Sequence, residues 1–208
     1  DAYIKAMNAL PIDYLEIGYR STPSKTYMGQ YGYCPVSVIK KIRATCTKKI
    51  DVMLNEKSST VEDIDKLVKP LVGIVDMIRI AIDPKNFDRA LILAKAIKDM
   101  GFELGFNCMY MSSWLSVYPE FLNKLNKLDG IADLFCMVDS YGGVTPKELT
   151  EIAKVVRANT TCQVGFHGHN NLQLGLINTL TAIDIGLEYV DCTVLGMGRG
   201  AGNLNTEL

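Results

Sequence analysis

The sequence predicts an α/β fold, specifically a TIM (β/α)8 barrel, and three observations carry that expectation. Short apolar runs rich in β-branched residues alternate with longer amphipathic ones. The repeat is about 25 to 30 residues, the length of one β/α unit. Polar residues stand at the C-terminal end of nearly every strand candidate. The candidates run from Tyr14 to Tyr19, Ile50 to Leu54, Met77 to Ile82, Glu103 to Met109, Leu134 to Val138, Gln163 to His167 and Tyr189 to Leu195. Strict alternation with helices leaves an open doubly wound sheet or a barrel. The strand ends decide: Glu16 and Arg20, Asn55 and Glu56, Arg79 and Asp83, Asn107, Asp139 and Ser140, then His167 and His169. A barrel gathers all of these at one end, whereas an open sheet gathers only those near its switch point.

The helices have readable ends. In Thr145-Pro146-Lys147-Glu148, Thr145 can cap, Pro146 opens the first turn and Glu148 reaches back to the cap. Thr60-Val61-Glu62-Asp63 is a weaker copy. Gly101, Gly130 and Gly186 each fall between a helical run and a strand, where a left-handed residue ends a helix. Asp1 to Leu10 reads as the tail of a helix, so the first barrel strand is expected upstream, and at Leu208 the last helix would only be starting. The expectation is a single catalytic barrel domain over 1–208, truncated at both ends, since an open seven-stranded barrel would leave two long edges.

At 208 residues, 48% hydrophobic and 22% charged, the chain can bury one large core. A net charge of -1 without a Lys/Arg cluster argues against nucleic acid or an anionic membrane as partner and favours a small molecule. Cys34, Cys46, Cys108, Cys136, Cys162 and Cys192 form no Cys-x-x-Cys pair and lie largely in apolar runs, as reduced thiols of a cytoplasmic protein do. No membrane-spanning segment or signal-peptide pattern is visible.

Both histidines sit in Gly165-Phe166-His167-Gly168-His169-Asn170-Asn171, at the end of a strand candidate. Residues i and i+2 of a strand share a face, so His167 and His169 can offer two imidazoles to one metal ion, with Gly168 clearing space between them. Such an ion needs at least one more donor. The last strand candidate runs into Gly196-Met197-Gly198-Arg199-Gly200-Ala201-Gly202-Asn203, whose four glycines let backbone approach a ligand. No Gly-Lys-Ser/Thr follows, so it is not a P-loop. A phosphate cradle, a lid over the metal and a plain turn stay open, and Arg199 and Asn203 favour a functional loop.

Together these two segments resemble the HMG-CoA-lyase-like (DRE-TIM) metallolyases, and within that superfamily most of all the 4-hydroxy-2-oxovalerate aldolases. Arg79-Ile80-Ala81, Met109-Tyr110-Met111-Ser112 and Asp139-Ser140 support the likeness. The resemblance implies a divalent ion, Mn2+ first with Mg2+, Co2+ or Zn2+ as alternatives, held by His167, His169 and an aspartate upstream of this sequence, with Asn203 as a further donor. It implies cleavage of a 4-hydroxy-2-oxo acid to pyruvate and an aldehyde, a homo-oligomer, and an aldehyde dehydrogenase partner met through a region beyond Leu208. Glu16, Asp139 and Tyr141 are the titratable candidates for proton transfer, and Arg20, Arg79, Ser140 and Arg199 for substrate binding.

Departures narrow the chemistry. No histidine exists outside the pair: Ala81-Ile82-Asp83 and Met111-Ser112-Ser113 stand where relatives carry others, so their acid/base assignment does not carry over. The glycine loop has no cysteine, which disfavours a CoA-thioester lyase, and Gly198-Arg199-Gly200 replaces the Gly-Glu-Arg of a Claisen-type acyltransferase of the isopropylmalate-synthase kind. That acyltransferase and a non-catalytic metal-binding barrel are the alternatives.

Overall fold

The computed structural model describes residues 2–23 and 25–208, so Asp1, the first residue of the expected helix tail, lies outside them. The elements alternate as anticipated. Helix α1 (Ala2–Ala9) precedes β1 (Tyr14–Tyr19), α2 (Val36–Arg43), β2 (Lys49–Asn55), α3 (Val61–Leu67), β3 (Met77–Ile82) and α4 (Phe87–Lys98). Then come β4 (Glu103–Cys108), α5 (Trp114–Val117), α6 (Pro119–Leu122), β5 (Leu134–Asp139), α7 (Pro146–Asn159), β6 (Gln163–Gly168), α8 (Gly175–Asp184) and β7 (Tyr189–Val190). The seven strands form one sheet in the order β1-β2-β3-β4-β5-β6-β7. That unbroken order, with parallel pairing, is the order of a TIM barrel lacking one strand; a doubly wound sheet reverses at a switch point.

The chain divides into two compact units, Asp1–Ala81 with Asp88–Gly105, and Ile82–Phe87 with Phe106–Leu208. In the first unit, β1 and β2 pair from Tyr14↔Lys49 to Glu16↔Asp51, after which a bulge shifts the register to Tyr19↔Met53. Ile50, Val52 and Leu54 of β2 and Ile78 and Ile80 of β3 are fully buried, as are Ile39 of α2 and nearly so Ile64 of α3. These β-branched runs fit strands covered on both faces.

The core of the second unit is aromatic. Trp114, fully buried, meets Phe121 at 5.5 Å and Phe135 at 5.7 Å between ring centroids, and Phe87 meets Phe121 edge-on at 5.2 Å. The indole Nε1 donates to the carbonyl of Met109 at 2.8 Å, so this buried polar atom is satisfied. Every residue of β5 is buried. Helix α7 begins with the capping box expected of Thr145 and Glu148, and Thr60 with Asp63 forms the second. Gly101, Gly130 and Gly186 all have positive φ.

One expectation changes. The last strand covers only Tyr189–Val190 rather than reaching Leu195. The Asp191 carboxylate turns to a histidine, and Val194–Gly196 is a 3-10 turn with Leu195 left-handed at φ 55, a conformation no strand contains. Of the six free cysteines, Cys34, Cys46, Cys108 and Cys136 are buried, Cys162 is half-buried and Cys192 is exposed. Among the described residues no helix is long and apolar enough to cross a membrane.

Candidate functional site

Strands β5 and β6 pair in register, Val138 opposite His167 and Asp139 opposite Gly168. Alternation then puts His167 and His169 on one face and Phe166 and Gly168 on the other. The imidazole centroids lie 4.9 Å apart at an interplanar angle of 75°. Gly168 clears space on the face away from the imidazoles: a Cβ there would lie 2.9 Å from the Phe166 ring and 3.7 Å from the Gly175 Cα. Glycine at 168 thus leaves room for the Phe166 ring while its neighbours present imidazoles.

Each imidazole is oriented through Nδ1. His167 Nδ1 lies 3.1 Å from Asp191 Oδ2, and His169 Nδ1 lies 2.8 Å from the backbone carbonyl oxygen of Asp139. A carbonyl can only accept, so His169 carries its proton on Nδ1, and the carboxylate selects the same tautomer in His167. The lone pairs of both rings therefore lie on Nε2, the arrangement in which an oxygen partner behind the ring raises its strength as a metal ligand. Burial holds the His169 pKa below the ordinary histidine range; its bond to the Asp139 carbonyl opposes this, and the charges of His167 and Arg199 add to it. His169 stays neutral at pH 7, as a ligand must.

The glycine-rich loop returns to this pair. His169 and Asn203 form an antiparallel bridge, and Asn170 N donates to Gly202 O at 2.8 Å, which brings the Asn203 side chain beside His169. Asn203 Nδ2 donates to Met197 O at 3.0 Å, so the amide orientation is set by its donor. Its Oδ1 is buried and has no hydrogen-bond partner among the described residues. Asn203 Oδ1, an orphaned amide oxygen on the residue bridged to His169, is the type of donor that suits a divalent cation. Among the described residues no cluster of three or more His, Cys, Asp and Glu groups gathers as a cage.

The remaining predicted residues of the second unit surround the turn after β5. The Asp139 carboxylate is buried and accepts from Gly143 N at 3.2 Å and Val144 N at 3.1 Å. Ser140 Oγ accepts from Tyr110 N at 2.9 Å. Tyr141 is 58% exposed, and its ring stacks on Tyr110 at 5.6 Å. Asn171 binds this turn to the glycine loop, donating to Tyr141 O at 2.7 Å and accepting from Ala201 N at 3.2 Å. Arg199 is exposed on that loop.

In the first unit, Glu16, Asp51 and Arg79 form an ion cluster, with Arg79 3.3 Å from Glu16 Oε2 and 3.7 Å from Asp51 Oδ2. Arg20 donates to the carbonyls of Leu67, Tyr33 and Cys34 at 2.7 to 3.2 Å, so its guanidinium holds backbone. Sequence reasoning missed Asp191, Tyr110, Asn171 and Asp51. Asp191 had a signal, a carboxylate inside an apolar strand candidate; the others acquire meaning only from tertiary contacts.

The HMGL-like family profile matches residues 2–208. A 4-hydroxy-2-oxovalerate aldolase of Geobacillus thermodenitrificans is 32% identical over 98% of this chain and 59% of its own length. One from Carboxydothermus hydrogenoformans is 37% identical over 77% of the chain and 46% of its own length. The crystal structure of the N-terminal domain of a candidate aldolase from Bacteroides vulgatus superposes with a TM-score of 0.97 at 65% identity, covering 100% of this chain and 69% of that one. The chain thus spans 59% or less of the length of these curated relatives. With the strand order of a TIM barrel and an oriented histidine pair at the end of β6, the chain belongs to the HMGL-like family.

Proposed function

We propose that this chain provides the metal-holding face of a divalent-metal-dependent aldolase that cleaves a 4-hydroxy-2-oxo acid to pyruvate and an aldehyde. The observation that carries the reading is the imidazole pair with both Nδ1 atoms engaged by oxygen acceptors, beside the orphaned Asn203 Oδ1. The names of the relatives supply the reaction class. His167 Nε2, His169 Nε2 and Asn203 Oδ1 would hold the ion, Mn2+ first and Mg2+, Co2+ or Zn2+ as alternatives. When bound, such an ion is a Lewis acid that draws charge toward the 2-oxo oxygen as the C3–C4 bond breaks.

The chain's own residues then have separate tasks. Asp139 holds the turn after β5 through its two backbone N–H bonds and positions His169 through its carbonyl. Tyr141, exposed on that turn, is assigned to proton transfer at the 4-hydroxyl; Glu16, the other titratable candidate, is engaged by Arg79 within its own unit. Arg199 and Ser140 are assigned to the substrate carboxylate; Arg79 is taken up by Glu16 and Asp51, and Arg20 by carbonyls. The same reading includes a cytoplasmic setting, a homo-oligomer and a dehydrogenase that takes the aldehyde.

The test uses the full gene product with added Mn2+. Pyruvate release from 4-hydroxy-2-oxo acids is expected, and CoA release from acetyl-CoA with 2-oxo acids is not. Replacing His167 and His169 with alanine should abolish both Mn2+ uptake and pyruvate release; turnover that survives the double replacement overturns the reading.

A further inference from the structure

Two tyrosines are fastened to the turn whose Asp139 carbonyl orients His169. Tyr110 follows β4 in the left-handed conformation, φ 63 and ψ 36, which a bulky residue adopts only where its surroundings impose it. Its backbone N donates to Ser140 Oγ at 2.9 Å, so the turn after β5 helps fix it. Its ring then lies against that of Tyr141, with centroids 5.6 Å apart and planes 29° from parallel, an offset stack. Tyr141 is pinned in turn: its carbonyl accepts from Asn171 Nδ2 at 2.7 Å, and it is two residues from the carbonyl that orients His169. The next residue is packed just as closely, since a Cβ on Gly142 would lie 2.6 Å from Asn171 N and 2.8 Å from His169 O. The result is a rigid aromatic platform on the segment that orients the metal-facing imidazole, with Tyr141 left 58% exposed.

A rigid, half-exposed pair of rings has a specific use. A single exposed tyrosine loses rotamer freedom when a ligand packs on it, whereas this one is already ordered by its stack and its turn. A flat or ring-bearing ligand can extend the stack, which a methyl group cannot do to the same degree.

We infer that the Tyr110–Tyr141 stack receives the aldehyde-forming end of the substrate, and that the preferred 4-hydroxy-2-oxo acids carry a ring at C4, releasing a ring-bearing aldehyde. This rests on the aldolase reading for the chemistry but on the platform for the preference, so the two are tested by different measurements. The probes for binding are 4-phenyl-2-oxobutanoate and 2-oxopentanoate, which lack the 4-hydroxyl and cannot undergo the retro-aldol cleavage.

Their dissociation constants are measured by calorimetry on the full gene product with Mn2+, for the wild type, Tyr141→Leu and Tyr141→Phe, with thermal melts showing each variant folded. The wild type should bind the phenyl compound about fivefold tighter than the propyl one. Tyr141→Leu should bring that ratio close to one, and Tyr141→Phe, which keeps the ring and loses the hydroxyl, should retain it. Equal binding of both probes by the wild type, or a ratio unchanged in Tyr141→Leu, overturns the platform. Pyruvate release from the corresponding 4-hydroxy acids is followed separately, so a failure of the aldolase reading shows as absent turnover whatever the binding ratio is.

Discussion

His169 donates its Nδ1 proton to the backbone carbonyl of Asp139 at 2.8 Å, and this bond ties the end of β6 to the turn that follows β5. The acceptor is part of the main chain, so it stays in place only as long as the turn does. The turn is held by the side chain of the same residue, since the Asp139 carboxylate accepts from Gly143 N and Val144 N. Asp139 thus acts on the candidate metal site through its carbonyl and on the fold through its carboxylate.

Replacing Asp139 with alanine should therefore cost both. The buried Val144 N–H loses its acceptor, which costs about 1 to 3 kcal/mol when no water replaces it, while the exposed Gly143 N–H can turn to solvent. Urea denaturation should show a loss in that range, and Mn2+ titration of the folded variant should show weaker binding because the carbonyl behind His169 is no longer fixed. A variant with unchanged stability would mean that the carboxylate does not hold the turn.

Asp191→Asn isolates the other imidazole. Asp191 Oδ2 lies 3.1 Å from His167 Nδ1, and an amide orients that ring less strongly than a carboxylate. Mn2+ affinity measured by calorimetry should fall about 10- to 100-fold, the usual range for a residue behind a metal-binding histidine. Affinity that does not move would separate Asp191 from the site.

These two residues also show how far the sequence could be read. The strands, the histidine pair and the glycine loop were legible because each is a local pattern: apolar runs of strand length, i/i+2 spacing and repeated glycine. The β7 boundary was not, because nothing local distinguishes Asp191 as a strand residue from Asp191 as a partner of His167. Asp139 was legible as polar and at a strand end, but its carboxylate is occupied by backbone that only the turn brings near. Arg20 is legible only as a cation at a strand end, because the three backbone carbonyls that it binds come together only in the fold. Tyr110 was legible only as part of Met109-Tyr110-Met111-Ser112, since a left-handed backbone at tyrosine leaves no mark on the sequence.

Cys34 gives the stability of the first unit a pH dependence. Its thiol is fully buried, and burial pushes its pKa up to about 11, with Arg20 opposing and Glu16 adding. Between about pH 9 and pH 11 the folded chain retains a proton that the unfolded chain releases, so stability falls as pH rises through that window. The contribution is fully present below about pH 9, and its loss by pH 11 is about 2 to 3 kcal/mol. Denaturant midpoints measured from pH 8 to 11 on the wild type and Cys34→Ala should diverge by this amount; parallel curves would remove Cys34 from the account.

Two glycines of the returning loop should separate site from scaffold. A Cβ at Gly198 would lie 2.8 Å from Cγ, Nδ2 and Oδ1 of Asn203, the end of a side chain that can swing aside, so Gly198→Ala should cost stability little while displacing the orphaned Oδ1. At Gly202, with φ 87, a Cβ would run into the carbonyl oxygen of Gly196, which is backbone and cannot yield without moving the loop. Gly202→Ala should therefore destabilise the chain by about 1 to 3 kcal/mol from the strained φ, before any change in metal binding is considered. Thermal melts and Mn2+ titrations on both variants give the comparison. Gly198→Ala should melt within a few degrees of the wild type and bind Mn2+ at least about tenfold more weakly, because one donor to the ion has moved. If Gly198→Ala binds Mn2+ as tightly as the wild type, Asn203 Oδ1 is not a ligand and the third donor must come from elsewhere.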